Sequence, residues 1–232
     1  WTGTFLATTS QGSRLILIVG AFVSLLFARK TFPFITRVII YLFTALSLIA
    51  TIIMANRSIF IIILITLGTV VIYYIKQNSS NINNIVKFFT TMIALLLISI
   101  YSYFADLFGI RSYYEASSFY ERLQKSGTGW ILDNPRIDAW INAFTGIYDF
   151  PFGGSKASIG LVYAHNLWLD VAHTAGIIPF ILLVTITVIY VIILIRIINN
   201  KLLDFDFKLY LFSISIALLL NLMIEPILSG HY

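Results

Sequence analysis

The sequence predicts an all-α integral membrane protein, a polytopic bundle of about six transmembrane helices with one large extracytoplasmic loop. Hydrophobic residues make up 59% of the chain and charged residues 11%, whereas soluble domains carry roughly 25% charged residues. The mean hydropathy is +0.93. The long apolar runs lack the alternation of apolar and polar residues that half-buried strands show. In lipid, only helices and closed barrels satisfy the backbone polar groups.

Six apolar runs approach the length of about 20 residues that a helix needs to cross a bilayer. They divide the chain into four transmembrane helices in residues 1–104, an extracytoplasmic loop with amphipathic helices in 105–164, and two transmembrane helices in 165–232. The shortest run could instead be a re-entrant segment. Because the chain begins at Trp1 rather than Met, we expect a fragment of a longer membrane protein. The predicted spans are Leu15–Ala28, Phe34–Met54, Ser58–Ile75, Phe88–Phe104, Gly176–Ile198 and Leu209–Leu228, the fifth continuous with a helical lead-in from His165.

The basic residues orient these spans. Lys and Arg concentrate in the turns after the first, third and fifth spans, so the positive-inside rule places those turns in the cytoplasm. The opposite face then receives the loop, together with Arg14 and Arg57, which stand just before apolar runs. The net charge of +5 follows from these span ends and does not indicate a nucleic-acid partner. The basic turn residues are Arg29, Lys30, Lys76, Lys87, Arg196, Lys201 and Lys208.

The loop contains two predicted helices. Ser112–Gln124 is polar and tyrosine-rich, which favours a membrane interface. The second helix begins near Pro135, a residue suited to the first helical position, with Asp133 or Asn134 as its cap. It ends before Pro151 and the glycines that follow. Its apolar side chains recur at helical spacing, which predicts a helix lying on the membrane surface. These side chains are Ile137, Trp140, Ile141, Phe144 and Tyr148.

The loop also holds the residues best suited to chemistry. Arg136 lies in the first turn of the second helix, and a guanidinium binds phosphate oxygens bidentately. His165 lies at the mouth of the fifth span, and an unperturbed imidazole titrates near pH ~6.5. His173 is a rival. A metal site of His165, Asp170 and His173 lacks the i, i+4 spacing of a zinc helix. The chain has no cysteine, which excludes disulfides, thiolate metal sites and a cysteine nucleophile.

Several short motifs occur in a fixed order around this loop. Together they resemble the C-terminal domain of the bacterial O-antigen ligase and O-antigen polymerase superfamily. The resemblance covers most of the chain. In this sequence the motifs are Gly12-Ser13-Arg14 and Asn56-Arg57-Ser58 before apolar runs, Arg136-Ile-Asp-Ala-Trp140, Asp149-Phe-Pro151-Phe-Gly153-Gly154, His165-Asn166-Leu167-Trp168-Leu169, and Gly176.

The resemblance implies a metal-independent glycosyltransferase with a GT-C-like fold, in the bacterial inner membrane and active at its outer face. Such enzymes move a glycan from undecaprenyl diphosphate to an acceptor sugar, either a glycan or a lipid-linked acceptor, in surface polysaccharide (O-antigen or capsule) biosynthesis. His165 would be the general base, and Arg136 would act with it at the catalytic centre. Arg57, the favoured counterpart of the upstream motif, and Arg14 would bind the diphosphate. No cofactor is implied, and ligase and polymerase stay equally open.

Two other functions fit the same residues. In a lipid-linked oligosaccharide transporter, the arginines would bind the diphosphate and the loop would act as a gate. A transport path calls for polar residues along the spans, and the middles of these spans hold almost none. In a non-enzymatic membrane scaffold, the loop would be a docking surface and His165 would be dispensable.

Overall fold

A computed structural model describes residues 16–27, 32–53, 57–77, 86, 90, 93–94, 97, 100–115, 120 and 135–225. This part of the chain is helical, and no strand occurs in it. The helices are α1 (Ile16–Leu25), α2 (Phe34–Ile53), α3 (Arg57–Gln77), a short 3-10 turn (Leu107–Gly109), α4 (Ile110–Glu115), α5 (Pro135–Asp149), α6 (Leu167–Ala175), α7 (Ile177–Asn199) and α8 (Phe205–Ile224).

Three of these helices are long and apolar enough to cross a membrane, which confirms the prediction of a helical membrane protein. They are Ser58–Gln77 within α3, Ile177–Asn199 and Phe205–Ile224, and they match the predicted third, fifth and sixth spans. The helix α2 contains a shorter apolar stretch, Phe34–Ile49. The helix α1 has 10 residues.

The remaining predicted elements are only partly described. In the predicted fourth span, positions 90, 93–94, 97 and 100–104 are helical. The predicted interfacial helix Ser112–Gln124 overlaps α4, which begins earlier, at Ile110. Asp133 and Asn134, the predicted caps of α5, lie outside the described residues, and α5 begins at Pro135 and ends at Asp149, as the positions of the prolines predict.

Helices α1, α3 and α8 form the packed centre of the described structure. At one end of this bundle Ile16, Ile59 and Ala217 share a buried cluster against which Ile224 packs. At the other end Phe27, Tyr74 and Leu209 share a second cluster. Therefore α1 and α3 run in the same direction and α8 runs against them. We call these the Ile16 end and the Phe27 end.

Small residues allow α1 and α8 to approach closely. A Cβ at Gly20 would lie 2.8 Å from the Cα of Ile214, and the Ser213 hydroxyl donates a hydrogen bond of 2.6 Å to the Gly20 carbonyl. The Tyr190 hydroxyl donates to the Ser215 hydroxyl at 2.6 Å, which ties α7 to α8. Small residues and interhelical hydrogen bonds are the usual means of joining helices in lipid.

The sequence predicted that the fifth span is continuous with a helical lead-in from His165. This prediction is wrong, because the structure has two separate helices there. Gly176, with φ of 90°, separates α6 from α7. At this break the Ile177 N–H donates to the Pro151 carbonyl at 2.8 Å, and the Gly154 N–H donates to the Thr174 carbonyl at 2.9 Å. The turn after α5 thus binds the α6–α7 junction, and this contact ends α6.

The helix α5 has two apolar sides. Small side chains, Ala139 and Ala143 among them, are buried against Ile159 and Ala164 of the following loop. Four side chains of the predicted apolar face are exposed and are not covered by the other described parts of the protein. They are Ile137, Ile141, Phe144 and Tyr148. Trp140 differs, because its indole turns toward the loop and donates to a backbone carbonyl.

We predict that Gly153→Ala and Gly176→Ala both destabilise the protein strongly. A Cβ at Gly153 would lie 2.5 Å from the Gly176 nitrogen, and a Cβ at Gly176 would overlap the backbone of Pro151 and Phe152. Gly154→Ala is the matched control, because its φ is also positive while the nearest atom to its Cβ is a side-chain carbon 3.7 Å away. In the control, the free energy of unfolding should fall only by the cost of a side chain in the left-handed conformation, about 1–2 kcal/mol. Equal thermal midpoints for all three variants would contradict the packing described here.

Candidate functional site

Arg136 connects the loop to the Ile16 end of the bundle. It lies in the first turn of α5, and its Nη1 donates a hydrogen bond of 3.1 Å to the Ile224 carbonyl. This carbonyl belongs to the last residue of α8. The last carbonyls of a helix carry partial negative charge and attract cations. The half-buried guanidinium therefore docks α5 onto the end of a membrane-spanning helix.

Glu225 lies beside this contact. The residue is 1% exposed, and its N–H donates to the Asn221 carbonyl at 3.0 Å. Burial raises the pKa of Glu225 to about 7, although the Ser58 hydroxyl and the charge of Arg136 both lower it. A buried carboxyl group with a raised pKa therefore lies close to the guanidinium.

Ser58 brings the start of α3 to the same place. It is buried and follows Arg57, the first residue of α3. The backbone of Arg57 is therefore at the Ile16 end, near Glu225. The side chain of Arg57 and the whole of Arg14 lie outside what the structure describes, so the placement of their guanidinium groups stays a prediction.

The backbone around His165 is held from two sides. The Trp140 indole donates to the Ala164 carbonyl at 2.6 Å, and the Ala164 N–H donates to Asp170 Oδ1 at 2.7 Å. On the other side of His165, the Asn166 side chain accepts from the Leu169 N–H at 3.2 Å. Asn166 is thus the N-cap of α6. Buried backbone groups need such partners, and these fix the residues on either side of His165.

His165 itself adopts the left-handed backbone conformation, with φ of 55°. A non-glycine residue there costs about 1–2 kcal/mol, and the bonds at Ala164 and Asn166 offset this cost. Such strain in a held loop is often found at functional sites. The half-buried ring has a buried Nδ1 with no hydrogen-bond partner among the described residues.

The electrostatic environment keeps the His165 imidazole neutral. Burial, and to a smaller extent the nearby positive charge of Arg136, together lower the pKa of His165 to about 4. At pH 7 the ring therefore carries no proton on one of its nitrogens, which is the form that accepts a proton. An anion bound to Arg136 would offset the positive charge and raise the pKa of the ring.

His173, the predicted rival, has a structural contact. Its Nε2 lies 2.9 Å from the Ala157 carbonyl, so it holds the loop against α6. Asp170 is likewise committed through one oxygen to Ala164. Among the residues that the structure describes, no group of three or more His, Asp or Glu side chains is arranged to hold a metal ion.

Of the four predicted site residues, Arg136 and His165 influence each other, because the positive charge of Arg136 lowers the pKa of His165. Glu225 and Ser58 were not predicted as site residues. Glu225 has one signal in the sequence, because it is an acidic residue at the C-terminal end of an apolar run, where the helix dipole disfavours a carboxylate. Ser58 has none beyond its place after Arg57.

No known protein family, curated protein or solved structure matches the chain in sequence or structure comparisons.

We predict that Arg136→Met raises the pKa of His165 from about 4, because it removes one of the two causes of the lowered value. Burial remains, so the pKa should stay below the ordinary value of ~6.5. The measurement is a pH titration by NMR of histidine-labelled protein in nanodiscs, with His165→Asn to assign the signal. Lys156→Met, which removes an exposed cation from the same loop, is the control and should leave the pKa unchanged. An unaltered pKa in Arg136→Met would contradict the influence of Arg136 on the imidazole.

Proposed function

We propose that this chain belongs to a membrane glycosyltransferase of the O-antigen ligase or polymerase type. It would be a GT-C-like protein with about six spans in the bacterial inner membrane. One observation carries the proposal: Arg136 is anchored at the Ile16 end, and its positive charge acts on the neutral imidazole of His165. The helix α3 begins at the same end with Arg57. A cation that binds an anion and a neutral base beside it are what transfer from a diphosphate requires.

The donor is an undecaprenyl-diphosphate-linked glycan. Arg136 binds the diphosphate, with Arg57 and Arg14 as further cations. Guanidinium groups suit this role because their paired donors match phosphate oxygens. As the leaving group gains negative charge in the transition state, fixed cations in a partly dry site stabilise it by several kcal/mol. Such a site supplies the charge stabilisation through side chains alone.

The transfer step follows from these positions. The hydroxyl of the acceptor sugar gives its proton to neutral His165 as its oxygen forms a bond to the anomeric carbon of the donor glycan. The bond between that carbon and the diphosphate oxygen breaks, and undecaprenyl diphosphate leaves with the electron pair. The diphosphate bound at Arg136 offsets the charge that keeps the imidazole a weak base, so His165 becomes a better base when the donor is present.

The charge distribution supports an outward-facing site. Lys76, Arg196, Lys201 and Lys208 lie toward the Phe27 end, where α3 and α7 end and α8 begins. Basic turns favour the cytoplasmic side. The Ile16 end, with Arg136 and His165, then faces the outside of the inner membrane, where lipid-linked glycans are polymerised or transferred to their acceptors.

We expect His165→Ala and Arg136→Met in the full-length protein to abolish glycan transfer while membrane insertion is retained. Loss of a general base lowers a rate by about 10²–10⁴-fold. The measurement is complementation of a strain that lacks the gene, scored by the length and attachment of surface glycan on a gel. Asp138→Asn, an exposed residue on the same turn of α5 as Arg136, is the control and should complement normally.

The gel pattern also assigns the type of enzyme. A missing ladder of glycan lengths indicates a polymerase, and accumulated lipid-linked polymer indicates a ligase. Normal glycan in His165→Ala, with normal insertion, would contradict the proposal. It would favour the transporter or the scaffold function instead.

A further inference from the structure

A cavity of about 670 Å³ opens between the loop 155–163 and one face of α6. Its volume is within the range of roughly 300–1,000 Å³ that is typical of small-molecule sites. The face of α6 contributes Asp170, His173 and Thr174, and the loop contributes Ser158 and Tyr163 among others. Arg136 and His165 do not line this cavity, so it is distinct from the diphosphate position proposed above.

Asp170 gives the cavity an unused hydrogen-bond acceptor. The side chain is 3% exposed. Its Oδ1 accepts from the Ala164 N–H at 2.7 Å, while its buried Oδ2 has no hydrogen-bond partner among the described residues. A buried polar atom without a partner is uncommon and calls for an explanation. A ligand hydroxyl that donates to Oδ2 would supply the missing bond.

The other groups around the cavity favour an uncharged ligand that carries hydroxyls. None of the residues described as lining the cavity is a lysine or arginine, so nothing there compensates a ligand anion beside the carboxylate of Asp170. The His173 Nε2 is engaged with the Ala157 carbonyl at 2.9 Å. The Tyr163 ring provides an aromatic surface, and Ser158 provides an exposed hydroxyl. Polar and apolar residues thus share the wall of the cavity, and polar groups placed beside an apolar surface suit a pocket that orients one ring.

The cavity adjoins the candidate base. The rings of Tyr163 and His165 meet edge to face with centroids 6.4 Å apart. Asp170 also holds Ala164, the residue before His165. A ring bound in the cavity would therefore contact Tyr163, whose ring packs edge to face against the imidazole, and the charge of Arg136 acts on the same imidazole. His165 then stands between a position for an anion and a position for a neutral ligand.

From this geometry we infer that the cavity is the acceptor subsite, which binds a neutral sugar ring through Asp170 Oδ2 and directs one of its hydroxyls toward His165. This inference rests on the proposed glycosyltransferase function, because only a transfer reaction gives the second subsite a purpose. It adds the position of the acceptor and the chemical class of the group bound there.

The test uses full-length protein in nanodiscs and saturation-transfer NMR with methyl glycosides of neutral hexoses, and methyl glucuronide as a charged counterpart. We expect the neutral glycosides to bind, the glucuronide to bind at least ten-fold more weakly, and Ser158→Trp to remove binding by filling the cavity. Arg136→Met should retain sugar binding.

Asn142→Trp, which places the same bulk on an exposed position of α5 outside the cavity, is the matched control. If Ser158→Trp fails to fold, Val162→Trp, whose side chain is 78% exposed, replaces it.

Transfer kinetics separate this inference from the proposed function. In an enzyme assay with a lipid-linked donor, Ser158→Trp should raise KM for the acceptor at least ten-fold and leave the Kd of undecaprenyl diphosphate unchanged. Normal acceptor KM in an active Ser158→Trp enzyme would overturn the subsite and leave the glycosyltransferase proposal standing. Sugar binding that Ser158→Trp abolishes, in a protein without any transfer activity, would support a sugar site and overturn the enzymatic function.

Discussion

The two hydrogen bonds to the backbone of Ala164 are the constraint on which the rest of the site depends. The indole of Trp140 holds the carbonyl, and the carboxylate of Asp170 holds the N–H. Because Ala164 is fully buried, the loss of either partner would leave an unpaired backbone group at a cost of about 1–3 kcal/mol. These two hydrogen bonds fix Ala164 and so maintain the left-handed backbone conformation of His165. They also tie α5 to α6, which joins the parts of the loop that carry Arg136 and His165.

The electrostatics of the site follow from where α5 is docked. Arg136 is anchored at the C-terminal carbonyl of α8, and its charge acts on two groups of opposite character. It lowers the pKa of His165 and opposes the rise in the pKa of Glu225 that burial causes. Glu225 thus lies near the position where, under the proposed function, the donor diphosphate would bind. A phosphate bound there would meet a cation that is already held in place by the Ile224 carbonyl.

Hydropathy and turn residues predicted the helices that depend on local sequence. The spans α3, α7 and α8 and the start of α5 at Pro135 all follow from residue type and spacing. The break at Gly176 could not be predicted, since the apolar pattern continues from α6 into α7 and glycine is common within membrane helices. It is decided by the contact with Pro151, which is distant in sequence. For the same reason, the proximity of Glu225 to Arg136 and the inward turn of Trp140 require the tertiary structure.

The central claim is that Arg136 binds the donor diphosphate next to His165, and the most direct test is the pKa of His165 with and without undecaprenyl diphosphate. NMR titration of histidine-labelled protein in nanodiscs gives both values, and a parallel binding measurement shows saturation. We predict that the pKa of His165 rises from about 4 when the lipid is bound, since the diphosphate offsets the guanidinium charge. A pKa that stays the same at saturating lipid would contradict the claim, because the diphosphate would then bind away from Arg136.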